Sequence, residues 1–163
     1  MVSRTLMNKV LSAMSTAQET PKGFMESSQE FLSAANLVLN RSEEVSLPSY
    51  FLLGRSIELS LKAFLLQSGV PIRELRKRKY GHDLTALLKA SFERGIDKRI
   101  NISSIEQGVI ELLNYDYMDK RFEYRISGGT YYLPLIDVTC EVAHKLAFNL
   151  EPFCTGEATD GRT

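Results

Sequence analysis

The chain has 163 residues, of which 20 are basic and 20 acidic, so its formal net charge is zero. Hydrophobic residues make up 44% of it and charged residues 25%, a composition typical of one soluble globular domain. The charge balance excludes a general electrostatic attraction to nucleic acid, so that any such binding requires a local basic patch.

Several classes of site are excluded by residues that the sequence lacks. The two cysteines, Cys140 and Cys154, form no CxxC pair, and the two histidines, His82 and His144, lie at no metal-ligand spacing. The motifs GxxxxGK[ST], GxGxxG and GxSxG are absent. We therefore expect no metal and no cofactor. With no disulfide framework and no apolar stretch of roughly 20 residues, we also expect a cytoplasmic protein without a membrane partner.

Helical periodicity divides the chain into three parts. Residues 1–20 have the spacing of a short amphipathic arm, residues 21–152 that of a helical domain, and residues 153–163 the composition of a disordered tail. Within the domain, capping residues and apolar spacing predict helices over residues 21–40, 48–68, 83–94, 103–118 and 134–152. The predicted fold class is all-α, a bundle of four to five helices.

Two local features qualify this pattern. Gly54 lies inside the apolar second helix, where glycine is unfavourable, which predicts close approach of another backbone. Between the fourth and last helices, Phe122, Tyr124 and Ile126 alternate with charged residues before a Gly-Gly pair. This change of period predicts a short extended segment or hairpin before the last helix.

Charged residues of the second helix form the first candidate site. Arg55, Glu58 and Lys62 project from one side of it although apolar residues flank them. A buried carboxylate needs a partner, and the candidates for Glu58 are Lys62, His82 and Arg125. Such a cluster is either a structural polar network that ties helices together or a functional site.

A basic connector, residues 73–79, leads to His82 and Asp83 at the start of the third helix. Its Arg78 and Lys79, with Glu58, Lys62 and Asp83, are the candidate binding residues, because such a run can follow a phosphate backbone. The alternative interpretation of this basic run is a solvated loop with no ligand. His82 is either a general base or a helix-start residue that bonds a carboxylate, and Asp83 has the position of a helix cap.

Tyrosines surround the predicted extended segment. They are either platforms on which bases stack or half-buried packing residues, and they occupy positions 115, 117, 124, 131 and 132.

Four stretches carry a family likeness: GRSIELSLKAFLLQSGV, KYGHDLTALLKASFERGI, FEYRI and YYLPLIDV. In this order they resemble the HEPN superfamily, in the branch with a GHDL helix start. The resemblance implies a bundle of four or five helices, a homodimer and, in many members, metal-independent RNA cleavage. The nuclease members carry an arginine, four to six residues and a histidine. Arg76 and His82 match that spacing with five residues between them.

Three hypotheses follow. Because Arg76 and His82 lie in a connector and not in a late helix, the first is a homodimeric HEPN-like module that binds RNA or a nucleotide without strong catalysis. The second is a metal-independent endoribonuclease of a defence or toxin system, with His82 and either Arg76 or Arg125 as catalytic residues. The third is a structural helical dimer that binds a protein partner.

Overall fold

A computed structural model describes residues 19–41, 43–124 and 129–156 of the chain. Within these residues the fold is all-helical and contains no strand, so the predicted all-α class is confirmed. The helices are α1 (Pro21–Leu39), α2 (Leu47–Gln67), α3 (Ile72–Leu75), α4 (Leu84–Glu93), α5 (Ser104–Met118), α6 (Ile136–Asn149) and α7 (Glu151–Thr155). None of the helices described is long and apolar enough to cross a membrane.

Capping residues set three of these helix ends where the sequence predicts them. The Thr20 side chain accepts a hydrogen bond from the Gly23 amide at 3.0 Å, which caps α1. At the start of α5, Ser103 and Glu106 form both hydrogen bonds of a capping box. Gly69, with a φ of 93°, follows α2 in the left-handed conformation that ends many helices.

Helix α2 is the central element of the bundle and packs against α1, α4, α5, α6 and α7. Its apolar residues are buried on more than one face, as expected for a helix that is apolar nearly all round. Burial of each large aliphatic side chain contributes about 1.5–3 kcal/mol. The fully buried ones include Leu53, Ile57, Leu61 and Leu65.

Gly54 of α2 allows close packing, but the element that approaches it is a side chain. A Cβ atom at this position would lie 2.5 Å from Cδ2 of Tyr117 in α5. The prediction that another backbone approaches Gly54 is therefore wrong. The aromatic ring needs the space that a methyl group would occupy.

No strand forms in the described part of the predicted extended segment or hairpin before the last helix, residues 121–124 and 129–135. Lys120 adopts a left-handed conformation with a φ of 57°, the Arg121 amide donates to the Asp116 carbonyl at 2.9 Å, and residues 121–124 form turns. Residues 125–128 lie outside the described residues. The fully buried Asp116 carboxylate accepts hydrogen bonds from Arg121 at 2.5 Å and from the Tyr132 amide at 2.6 Å. These bonds hold residues 129–135 against α5 without a strand.

The C-terminal end of the domain also differs from the prediction. Helix α6 begins at Ile136 rather than at Pro134, and α7 follows after Leu150. Pro152 lies in the first turn of α7, where proline is tolerated because its missing amide has no intrahelical acceptor. Residues 153–155 are therefore helical and not part of a disordered tail. Residues 157–163, and residues 1–18 of the predicted arm, lie outside the described residues.

We predict that Gly54→Ala destabilises the fold, because the Tyr117 ring has to move away from the new methyl group. Overpacking of this kind costs about 1–3 kcal/mol, which exceeds the roughly 1 kcal/mol that alanine gains over glycine within a helix. Urea-induced unfolding followed by circular dichroism measures the change.

Gly108→Ala is the matched control for this substitution. Gly108 is an exposed glycine of α5, and a Cβ atom added there would meet no atom within 4 Å. We expect Gly108→Ala to stabilise the protein by up to about 1 kcal/mol. A similar gain for Gly54→Ala would contradict the packing of Tyr117 on Gly54.

Candidate functional site

The Glu58 carboxylate is fully buried in α2 and is the centre of a polar cluster. Its Oε1 atom accepts hydrogen bonds from Arg55 Nη1 at 2.9 Å and Lys62 Nζ at 2.6 Å. Its Oε2 atom contacts Tyr117 Oη at 2.5 Å and His82 Nδ1 at 3.1 Å. Both carboxylate oxygens are therefore hydrogen-bonded, as a buried charge requires in order to be stable. We call these five residues the Glu58 cluster.

Three parts of the chain contribute to the Glu58 cluster. Arg55 and Lys62 lie three residues before and four residues after Glu58, so helical geometry alone places them beside it. Tyr117 comes from α5. His82 comes from the turn before α4, and Lys62 Nζ holds that turn by donating to the Gly81 carbonyl at 2.8 Å.

The charge state of the cluster follows from its contacts. Burial by itself raises the pKa of Glu58, but the hydrogen bond with His82 and the charges of Lys62 and Arg55 outweigh it and lower the pKa to about 2. Burial and the adjacent carboxylate raise the pKa of Tyr117. At neutral pH, Glu58 is therefore ionised, while Tyr117 keeps its proton and donates it to Oε2.

The same reasoning assigns the proton on the His82 ring. An ionised carboxylate can only accept hydrogen bonds, so Nδ1 of His82 carries a proton that points to Glu58 Oε2. In the neutral ring, Nε2 is then an unprotonated base. Nε2 has no hydrogen-bond partner among the described residues, and the His82 side chain is 42% exposed. Glu58 thus orients a histidine whose second nitrogen is accessible.

His82 lies between two pockets and lines both of them, as does Arg55. The first, which we call the connector pocket, has a volume of about 290 Å³. The residues that line it include Glu19, Phe24, Arg55, Glu58, Lys62, Ile72, Arg76 and His82. The second, which we call the aromatic pocket, has a volume of about 260 Å³ and is lined by Phe51, Arg55, His82, Tyr117, Lys120 and Glu123.

Among the predicted catalytic residues, the structure brings Arg76 and His82 to one pocket. Arg76 is exposed and forms an ion pair with Glu19 at the rim of the connector pocket. Arg125 lies outside the described residues. The predicted contact between Glu58 and His82 is present at 3.1 Å.

The predicted binding residues divide into two groups. Glu58 and Lys62 belong to the Glu58 cluster, whereas Arg78 and Lys79 are exposed on the connector and line neither of the two pockets. Asp83 caps α4: its Oδ1 atom accepts from the Ala86 amide and from the Asn114 side chain, both at 3.0 Å.

Two members of the cluster were not predicted as partners of Glu58, namely Arg55 and Tyr117. The sequence carries a partial signal for Tyr117. Gly54 lies one helical turn before Glu58, and the ring of Tyr117 passes over Gly54 to bring its hydroxyl group to the carboxylate. Gly54 thus indicates close packing on this turn of α2, although it does not identify Tyr117 as the residue that packs there.

The second histidine, His144, lines neither of the two pockets. Within the described part of the chain, no group of three His, Cys, Asp or Glu side chains is arranged to hold a metal ion. His144 lies on α6, where its ring packs 4.7 Å from that of Phe148.

No protein-family model, curated protein or solved structure matches this chain. The function is therefore argued from the chemistry of the Glu58 cluster and its two pockets.

We predict that acid removes a stabilising contribution of Glu58. Its pKa is about 2 in the fold, compared with an ordinary value of 4.5, so the ionised form is favoured by folding. The contribution is complete above pH 4.5, falls as the pH decreases towards 2, and is on the order of 3 kcal/mol. Chemical denaturation of the wild type and of Glu58→Gln between pH 7 and about pH 3 measures it.

Glu58→Gln is expected to be less stable at pH 7 and to show a weaker dependence on acid. Some acid dependence remains, because Lys145 and Ser103 outweigh burial and lower the pKa of Glu106 as well. Glu93→Gln is the control, since Glu93 is exposed at the end of α4 and lines neither pocket. If Glu58→Gln and Glu93→Gln have the same pH profile, Glu58 does not stabilise the fold as an anion.

Proposed function

We propose that this chain is an HEPN-like helical module that binds RNA or a nucleotide through the connector pocket. The observation that carries the proposal is the convergence of His82, Arg55, Lys62 and Arg76 on this pocket. Guanidinium and ammonium groups at the wall of a pocket are donors that recognise phosphate oxygens in proteins, and Arg55, Arg76 and Lys62 supply them here.

The charge around the pocket supports an anionic ligand. Glu58 is already neutralised by Arg55 and Lys62, so Arg76 and the exposed residues of the connector add a local positive charge to a neutral chain. The ion pair of Arg76 with Glu19 is exposed and thus contributes at most about 1 kcal/mol. A phosphate group can therefore replace Glu19 as the partner of Arg76 at low cost.

We predict that the double variant Arg76→Gln/Arg78→Gln binds single-stranded RNA on the order of tenfold more weakly than the wild type at about 0.1 M salt. Fluorescence anisotropy over a range of salt concentrations measures both the affinity and its salt dependence. The magnitude of the slope of log K against log salt should decrease by about 1.4, because two phosphate contacts are removed and each contributes about 0.7 for a single strand.

Lys89→Gln/Lys98→Gln is the matched control, since it removes two exposed positive charges that lie outside both the connector, residues 73–79, and the two pockets. This control should bind RNA as the wild type does. An equal loss in both double variants, or no detectable binding by the wild type, contradicts the proposal.

A second candidate function, a metal-independent endoribonuclease, is favoured by the orientation of His82. With Nδ1 held by Glu58, Nε2 can take the proton of a ribose 2′-hydroxyl group. The 2′-oxygen then attacks the adjacent phosphorus, the bond from phosphorus to the 5′-oxygen breaks, the 5′-oxygen takes a proton from water and leaves as a hydroxyl group, and a 2′,3′-cyclic phosphate remains. Arg55 and Arg76 are placed to stabilise the negative charge that develops on the phosphate oxygens.

If this candidate is correct, the purified protein cleaves RNA in EDTA and leaves cyclic phosphate ends, and His82→Gln, whose side-chain amide can still donate to Glu58, abolishes cleavage. Gel electrophoresis of end-labelled RNA provides the measurement. RNA that stays intact with the wild-type protein rules out the nuclease but leaves the binding module standing.

We also propose that the module is a homodimer that packs through the outer face of α5. Four large apolar side chains are exposed there: Ile105, Leu112, Tyr115 and Met118. Light scattering after size-exclusion chromatography should give twice the chain mass for the wild type and the chain mass for Leu112→Lys. A monomeric wild type contradicts this arrangement.

A further inference from the structure

We infer that the aromatic pocket is a nucleobase site with a preference for guanine, so that a bound RNA chain passes across His82 from one pocket to the other. The inference rests on the proposed RNA binding and adds a second subsite and a base preference to it. The inference rests on the side chains that line the aromatic pocket, which lies on the opposite side of His82 from the connector.

Aromatic side chains form the inner wall of this pocket. The rings of Phe51 and Tyr117 stack with their centroids 6.3 Å apart and their planes at 28°. His82 meets the edge of the Tyr117 ring at the same centroid distance and at 82°. Phe51 and His82 are partly exposed, and unpaired RNA bases are bound by stacking on such side chains.

The two pockets are joined by shared residues. Arg55 and His82 line both of them, so a group bound at these two side chains is adjacent to both volumes. Neighbouring nucleosides in RNA are joined by one phosphate. A chain that places its phosphate at Arg55 and His82 therefore has one nucleoside on the aromatic side and continues along the basic connector on the other side.

The rim of the aromatic pocket supplies the base preference. Lys120 offers hydrogen-bond donors and the Glu123 carboxylate offers only acceptors. The turn in which the Glu123 amide donates to the Lys120 carbonyl at 3.1 Å holds them together. Neither side chain has a hydrogen-bond partner among the described residues. Both are exposed and available to a ligand.

Guanine matches this pair better than the other bases do. Its N1–H and N2–H₂ groups are two adjacent donors that one carboxylate can accept together, and its O6 atom is an acceptor for Lys120. Adenine and cytosine present a single exocyclic amine, and uracil a single N–H, to the same carboxylate. We thus assign Glu123 as the residue that determines specificity.

The test compares two 2′-deoxy hexamers, one of deoxyuridine alone and one with a single central deoxyguanosine, neither of which can be cleaved through a 2′-hydroxyl group. In fluorescence anisotropy the wild type should bind the hexamer with guanine about tenfold more tightly. Glu123→Gln should reduce this preference to about twofold or less, with the affinity for the deoxyuridine hexamer nearly unchanged. Glu93→Gln should keep the full preference.

The possible outcomes distinguish failure of the base site from failure of the proposed function. Equal binding of both hexamers by the wild type overturns the base preference and leaves the phosphate-binding module intact. A preference that survives in Glu123→Gln overturns the role of Glu123. If the wild type binds neither of the two hexamers nor single-stranded RNA at low salt, the proposed RNA binding is overturned, and the inference with it.

Discussion

The burial of one carboxylate, Glu58, is the constraint on which the rest of this structure depends. Transfer of an ion into a protein interior costs several kcal/mol, so the position is stable only while its partners are in place. Four side chains from α2, the turn before α4 and α5 provide them. The same contacts that offset the cost of burial also hold the imidazole of His82 in one orientation. Stability and the geometry of the candidate site are therefore coupled.

The surrounding packing serves this arrangement. Tyr117 reaches the carboxylate because Gly54 has no side chain in its path. One turn earlier on α5, the Asn114 side chain accepts from the Leu84 amide at 2.8 Å and donates to Asp83, which fixes the start of α4 next to His82. Helix α5 thus positions both neighbours of Glu58 that come from outside α2.

Local chemistry explains what could be predicted from the sequence. Helix starts at Pro21 and Ser103 follow from caps that act within one turn, and the contact of Glu58 with His82 follows from the need to pair a buried charge. Features that depend on long-range packing were missed. The alternation around Phe122 is typical of a strand, but the buried Asp116 binds Arg121 and the Tyr132 amide and turns the chain instead. Likewise, no local rule places Tyr117 beside Glu58.

The orientation of the His82 ring is the point at which fold and function meet, and nitrogen NMR of that ring tests it most directly. The measurement uses protein labelled with ¹⁵N in histidine, at a pH high enough for the imidazole to be neutral, with His82→Gln to assign the signals. The Glu58 cluster predicts a proton on Nδ1 and an unprotonated Nε2 in the wild type, and a loss of this preference in Glu58→Gln. A proton on Nε2, or the same spectrum in both proteins, would contradict the claim that Glu58 orients the histidine.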